Sequence, residues 1–552
     1  MRRTIPERES LTVEFKSDRK RLPDGELVAM VVCLANTEGG EIYLGVEDDG
    51  RVTGLHPEHQ NLSGLAALIA NRTNPPVSVR VTALEEEGQR VARIEVPKSP
   101  RVIGTSDGLI VRRRLQADGS LECVPFYPHE FATRQSDLGI LDYSALPVKD
   151  ASEADFDPLE RERLRQMVER YGGDRSLLSL TDEELDGALG LVRREEGRRV
   201  PTVAGLLLLG RESALREHLP THEVAFQVLS GTEVRVNDFY LTPLLKTFER
   251  IMDQFTARVE EEEIQVGLFR VPVPDYDRRA FREAFVNALI HRDYTRLGAV
   301  HVRWEQEAIV ISNPGGFVEG VSLDNLLVTE PRPRNPRLAD AVKRIGLAER
   351  TGRGVDLIYQ GMLRYGRPAP DYGLSDRYSV VVRLAGGEAD TGLLRLVLEE
   401  EKRSNSPLPL DTLIALALLR RERRVDTAQV ARAIQRDEAA ARNVLERLVE
   451  AGLVVAHGVK KGRTYTLSPE VYRKFGNASG YVRQAGFDPI QQEQMIIQYV
   501  KANGRITRRE AAELCRLSPD QAKRLLMRMQ REGKLALRGA RRWAFYEAHS
   551  DE

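Results

Sequence analysis

The first ~130 residues alternate short apolar runs with turn residues. Glu41-Ile42-Tyr43-Leu44-Gly45-Val46, Ser78-Val79-Arg80-Val81 and Arg90-Val91-Ala92-Arg93-Ile94-Glu95-Val96 read as strands bounded by Gly, Asp and Pro, around one apolar helix over Glu26–Ala35. A charged, helical pattern follows from Glu153 to about Glu196, with the capping-box sequence Thr181-Asp182-Glu183-Glu184 inside it. Thr202 to Gly210 is uncharged and apolar, too short for a bilayer and of a length that suits a buried segment. Between Asp238 and Ala385 the pattern predicts a long helix, a second helix starting near Tyr276, strands at Ala299–Trp304 and Ala308–Ser312, and a helix after Gly352-Arg353-Gly354. Gly387 to Pro409 is largely polar and reads as a linker.

Beyond Pro409 the pattern repeats after roughly 80 residues. Leu413-Ile414-Ala415-Leu416, Thr427 to Ala431, Asp437 to Leu448 and Gly452 to Val455 recur as Ile496 to Val500, Thr507 to Ala512, Ser518 to Met529 and Gly533 to Leu537. Each copy predicts two helices, a turn, a third helix and a hairpin. Asp437 and Ser518 are N-cap candidates for the third helices, and Pro519 suits the first helical position. This is the pattern of a winged helix-turn-helix module.

Composition narrows the function. A chain of 552 residues exceeds one hydrophobic core and predicts several domains. No window has the ~20 uncharged apolar residues of a membrane span, and Met1 to Glu9 shows no apolar signal core, so the chain reads as cytoplasmic. Cys33, Cys123 and Cys515 lie far apart with no Cys/His spacing, which argues against a disulfide framework and a zinc knuckle. The net charge of −1 hides a basic tail: Gln491 to Tyr546 holds thirteen Lys/Arg against five Asp/Glu, a footprint suited to phosphates.

The helix Arg279 to Tyr294 carries the central candidate chemistry. Glu283 and Asn287 are four apart and share a face, while Phe281, Ala284, Phe285, Ala288 and Leu289 are apolar. An amide oxygen at Asn287 could ligate Mg²⁺ together with water and substrate phosphates, and the Glu283 carboxylate could orient or deprotonate a water. Downstream, Ile309-Val310-Ile311-Ser312-Asn313-Pro314-Gly315-Gly316 and Glu349 to Asp356 supply glycine turns after a strand and before a helix. This ordered series, over roughly Asp277 to Leu384, resembles the GHKL ATPase superfamily. The resemblance implies ATP and Mg²⁺ held by Asn287, Asn313, Gly315, Gly352 and Gly354, with Glu283 as the base for ATP hydrolysis. Asn313 stands where the superfamily normally has an adenine-binding Asp. The continuation His291-Arg292-Asp293-Tyr294 and Arg334-Asn335-Pro336 is similar to proteins labelled ATP-binding transcriptional regulators.

A second constellation comprises Glu9 to Lys16, Leu34 to Gly40 and Tyr43 to Gly50. With the Gly108-Leu109-Ile110-Val111-Arg112-Arg113-Arg114 run it resembles the Schlafen, or Alba-like, domain. In Schlafen nucleases an acidic triad cuts RNA. The matching residues are Glu9, Glu14 and either Glu47 or Asp48, which would hold Mg²⁺ or Mn²⁺, with Lys16 neutralising the phosphate. The Glu14-Phe15-Lys16 run also accompanies this fold in many proteins treated only as DNA-binding, where it would serve packing and surface charge.

Together these readings predict an α+β multidomain chain: a Schlafen-like α+β domain over 1–135, a helical connector over 136–237, a GHKL helix-on-sheet (Bergerat-type) domain over 238–386, a linker over 387–408, and winged-helix modules over 409–475 and 488–548. Candidate nucleic-acid contacts are Arg112, Arg113 and Arg114, then Arg442, Arg447, Lys460, Lys461, Lys523, Arg524, Arg528, Arg541 and Arg542. The expected function is ATP-linked DNA binding in transcriptional regulation, by at least a homodimer. The alternatives are a Schlafen-type nuclease for tRNA or other structured nucleic acid in phage defence, gated by ATP, and an ATPase scaffold whose tail modules bind proteins.

Overall fold

The computed structural model describes residues 4–116, 121–266, 269–349, 351–458, 462–474, 489–515, 517, 519–538 and 545–548. Strand β1 (Val13–Lys16) is followed by helix α1 (Asp24–Ala35), β2 (Gly40–Leu44), β3 (Arg80–Glu86) and β4 (Gln89–Val96), which form a sheet in the order β1-β2-β4-β3. Only β1 and β2 run parallel. Side chains alternate across the pleat, so Ile42 and Leu44 pack with α1 while Tyr43 packs with Phe15 on the other face. Asn36, at the end of α1, ties two later segments to the helix. Its amide donates to the Ile103 and Val111 carbonyls at 2.8 and 2.9 Å, and its oxygen accepts from the Ile103 N–H at 2.8 Å.

The hairpin β5 (Val111–Leu115) and β6 (Leu121–Pro125) packs beside α1, and there the Cys33 and Cys123 sulfurs are bonded. This corrects the reading against a disulfide. Ninety residues of separation conceal two side chains that the fold brings together. Helix α2 (Pro128–Asp137) leads into α3 (Pro158–Tyr171) and α4 (Asp182–Ala188), whose N-terminus is capped reciprocally by Thr181 and Glu184. The predicted helical stretch ends there, because residues 192–201 form a hairpin, β7 (Val192–Glu195) with β8 (Arg198–Pro201), turning through Glu196 and Gly197 with positive φ. The apolar run after Thr202 is helix α5 (Val203–Leu209), buried at every position.

Strands β9 (Val224–Ser230) and β10 (Glu233–Tyr240) precede α6 (Leu244–Thr256), the hairpin β11 (Glu261–Val266) and β12 (Phe269–Pro274), α7 (Arg278–His291), β13 (Val300–Trp304) and β14 (Ala308–Pro314). Helices α8 (Pro336–Ile345) and α9 (Gly354–Arg364) then lead to β15 (Ser379–Ala385). The five-stranded sheet has the order β10-β9-β13-β14-β15, with β9 parallel to β13. A boundary at 237/238 therefore fails: β9 lies inside the sheet that it was read as preceding. Its apolar residues join Leu164, Leu206, Phe248, Phe285 and Ile311 in one core, so 136–237 is no separate connector.

The expected linker over 387–408 also gives way, to helix α10 (Thr391–Ser404). Leu393, Leu396 and Val397 fall at helical spacing and enter the core of the next unit, while Leu394 packs on Ile264 and Val273 of the β11–β12 hairpin. That unit has α11 (Leu410–Glu422), α12 (Thr427–Ile434) and α13 (Glu438–Glu450), then β16 (Val454–His457) paired with β17 (Thr464–Leu467). The second copy has α14 (Pro489–Asn503), α15 (Arg508–Cys515) and α16 (Pro519–Arg531), then β18 (Leu535–Arg538) paired with β19 (Phe545–Ala548). Asp437 caps α13 by accepting the Ala440 N–H at 2.7 Å, whereas Ser518 lies outside the described residues. Among the described residues no helix is long and apolar enough to cross a membrane.

Candidate functional site

Helix α7 begins where Asp277 accepts the Ala280 N–H at 2.7 Å. Its apolar face, including Phe281, Ala284, Phe285 and Leu289, enters the central core, which leaves Glu283 and Asn287 on the flank facing α9. Glu283 is 2 % exposed and accepts a backbone hydrogen bond from Glu349, while its Oε2 has no partner. Burial pushes its carboxyl up to about 7, against the smaller lowering effect of Arg282. Gly354 sits against this carboxyl so closely that a Cβ there would lie 2.2 Å from Glu283 Oε1 and 3.3 Å from Asn287 Nδ2. A side chain at this position would force the Glu283 carboxyl to shift.

These groups line a cavity of about 300 Å³. Ile311 and Asn313 from β14, Val380 and Val382 from β15, and Tyr372 give an apolar wall with one amide in it, and Asn313 Nδ2 donates to the Pro314 carbonyl at 3.2 Å. Segment 316–333 forms another wall. The Glu349 carboxylate shapes the turn before α9, accepting from Thr351 N–H and Oγ1 at 2.7 Å and from Arg353 N–H at 3.1 Å. Gly352 takes φ +82°, and a Cβ there would lie 2.2 Å from Pro331 Cγ. Gly315, also of positive φ, does not line the cavity; it packs on Asp293 and Arg334 at the end of β14.

Arg332, Lys343 and Arg353 bring positive charge to the same cavity. None of the three was a sequence candidate. Lys343 is one lysine on α8, and only the packing of that helix carries it to the site, where its charge opposes the upward shift of Glu283. Burial, with Arg334 and Lys343 nearby, pushes the lining residue His291 down to about 4 and leaves it neutral at physiological pH.

The two short motifs beside the site are clamps. Arg334 is buried and donates to the His291 and Gly316 carbonyls at 3.1 and 2.8 Å and to Asp137 of α2, while Asn335 donates to the Ile290 and Arg292 carbonyls at 2.9 and 2.8 Å. Arg292, also buried, donates to the Thr221 carbonyl and, at 2.6 Å, to that of Gly298. They hold the end of α7 against α2 and the sheet.

In the first domain Glu14 is 6 % exposed and lies between two cations, Lys16 at 2.8 Å and the buried Arg113. Glu9 Oε1 accepts the Phe15 N–H at 2.9 Å, and burial, with help from the Glu14 charge, holds its carboxyl above the usual range. Lys16 is raised, although burial opposes this, by Glu14, then Glu9 and Asp48. Glu47 instead accepts from Thr53 and Ser17 hydroxyls at 2.7 and 2.9 Å, bonds that lower it, and Asp48 is exposed. Among the described residues no three His, Cys, Asp or Glu side chains are gathered to hold a metal ion. Glu9 and Glu14 thus share a charge-compensated network with Lys16 and Arg113, and Glu47 lies outside it. Arg113 is corrected from a surface contact to a buried partner of Glu14. Arg112 pairs with Glu130, and Arg114 remains exposed.

On the tail, Arg442 and Arg447 are exposed on α13, and Lys523, Arg524 and Arg528 on α16, where Arg528 pairs with Glu493 at 2.6 Å. Lys460, Lys461, Arg541 and Arg542 lie outside the described residues.

Four family models match parts of the chain. They are described as Schlafen, AlbA_2 over residues 9–118, a domain of unknown function over 132–225, the C-terminal part of ATP-dependent DNA helicase recG over 298–384, and DNA glycosylase AlkZ-like over 392–551. No curated protein matches. Among solved structures, the crystal structure of the DIP2311 protein from Corynebacterium diphtheriae is similar at 24 % identity over 98 % of this chain and 95 % of that chain, with a TM-score of 0.49. The chain therefore joins a Schlafen/AlbA_2 domain to a recG C-terminal-like domain and an AlkZ-like domain.

Proposed function

We propose that the cavity beside α7 binds Mg-ATP and that this binding controls how the basic tail engages DNA, as in a transcriptional regulator. The observation that carries the reading is Glu283: a carboxyl 2 % exposed, one oxygen unpartnered, beside Asn287 and facing a cavity to which three cations contribute. A buried polar atom without a partner is costly unless a ligand or water completes it. The donor set fits the ligand. Asn287 offers a hard amide oxygen to Mg²⁺, Arg332, Lys343 and Arg353 offer cations to phosphates, and Asn313 offers an amide to a base against the apolar wall. Held by Asn287, Mg²⁺ would supply charge neutralisation to the phosphates. Glu283, poised near neutrality, can accept a proton from a water. The Schlafen/AlbA_2 and AlkZ-like matches support nucleic acid as the partner.

The test is an equilibrium titration of labelled duplex DNA at stated salt, with and without Mg-ATP. A difference in affinity between the two is expected, and no binding at low salt would sink the reading.

A second reading, a nuclease in the first domain, draws on the nearness of Glu9 and Glu14, against which stand the ion pairs of Glu14 with Lys16 and Arg113 and the lack of a third gathered acid among the described residues. It expects RNA cleavage with Mn²⁺ or Mg²⁺ that is lost on Glu9→Ala or Glu14→Ala. Equal cleavage by the double variant would assign the activity elsewhere.

A further inference from the structure

The cavity wall formed by residues 321–332 is held from outside by a side chain more than 100 positions away. Gln435 sits in the turn between α12 and α13 at φ +55°. Its Oε1 accepts the Leu327 N–H at 2.7 Å and its Nε2 donates to the Leu323 carbonyl at 2.7 Å. Leu327 lines the cavity and also packs on the core of the α11–α13 unit. The neighbouring residue, Arg436, pairs with Asp411 at 3.1 Å and acts electrostatically on Asp356, another cavity-lining group. Tyr359 and Leu363 of α9 join the same core.

We infer that Gln435 is a positioning residue of the cavity: its amide holds the 321–332 wall, so it couples occupancy of the cavity to placement of α12 and α13, alongside the packing of Leu327 and α9 on the same unit. The inference rests on the nucleotide reading above. Any shift of Leu323 or Leu327 as a ligand enters must break, strain or improve these two hydrogen bonds. The turn they reach is the one that leads into α13, which carries Arg442 and Arg447. By linkage, a tail that moves on binding nucleic acid changes nucleotide affinity by the same factor.

The experiment uses the full chain and two variants. Gln435→Gly removes the amide while suiting the positive φ, so the turn is kept. Gln435→Glu keeps an acceptor for Leu327 and loses the donor to Leu323. Hydrogen–deuterium exchange of 321–332 without ligand should speed up roughly 5- to 30-fold in Gln435→Gly, as expected for losing two ordinary hydrogen bonds, and less in Gln435→Glu. A fluorescent ATP analogue with Mg²⁺ should bind Gln435→Gly several-fold more weakly, and the effect of Mg-ATP on duplex affinity should shrink. Parent-like exchange and parent-like analogue affinity in Gln435→Gly would overturn the inference. Failure of the parent to bind the analogue overturns the cavity reading and the linkage with it, while the exchange comparison still decides whether Gln435 holds the wall.

Discussion

Glu283 is an acid whose folded environment prefers the proton. Its carboxyl is raised from about 4.5 to about 7, so between those pH values the folded state binds more protons than the unfolded one and stability falls as pH rises. Glu283→Gln removes the titration. The variant is expected to gain stability over the parent at pH 8 by on the order of 2 to 3 kcal/mol and to show little difference at pH 4. Urea unfolding at the two pH values measures this, and a difference independent of pH would assign it to packing instead. The pair Glu283 and Asn287 was legible because four residues of spacing on an amphipathic helix need no tertiary knowledge. Lys343 and Gln435 were not, since a single Lys or Gln on a helix or turn carries no local signal. The Arg334 motif was visible as a string but not as a clamp. Arg334→Ala strands two carbonyls and Asp137, and should cost about 2 to 4 kcal/mol in the same unfolding assay.

Among the elements, local pattern told most where one face is apolar and an end is capped. Helix α7 was foreseen from its apolar face, α13 from its apolar face and the Asp437 cap, and the two three-helix repeats from the likeness of the two copies. Helix α10 was missed because its apolar residues are confined to 393–398, a run of under two turns, while the polar residues on either side gave 387–408 the average composition of a linker. Leu396→Ala should destabilise the α11–α13 unit by about 2 to 4 kcal/mol, as for other buried Leu truncations, and limited proteolysis should then cut within 410–470 first. A linker at this position would leave both readouts unchanged. The glycine turn before α9 was legible as sequence, but its reason is contact: Gly354 abuts Glu283. Gly354→Ala should weaken binding of the fluorescent ATP analogue at least about tenfold, because the carboxyl must move or the turn must retreat. Unchanged affinity would place the ligand away from α7.

For the molecule as a whole, the seam between the first domain and the large sheet is polar. Glu319 pairs with Lys98 at 3.0 Å and Arg134 at 3.4 Å, Thr133 and Thr295 hydroxyls meet at 2.9 Å, and Arg334 reaches Asp137. Such long-range pairs leave no trace in sequence patterns, and neither does the insertion of β9 between β10 and β13. That insertion decides where the protein can be cut. A fragment that starts at residue 238 loses β9 and exposes, along β13, the backbone groups of Val300 to Trp304 that pair with Val224 to Val228. An open strand of this kind recruits other strands. Light scattering should find such a fragment self-associating, and one that begins ahead of α2 free of that defect. The material for any piecewise biochemistry of the cavity is therefore a piece that keeps β9, because trimming to the recognisable motifs would manufacture a sticky edge and mistake it for a property of the site.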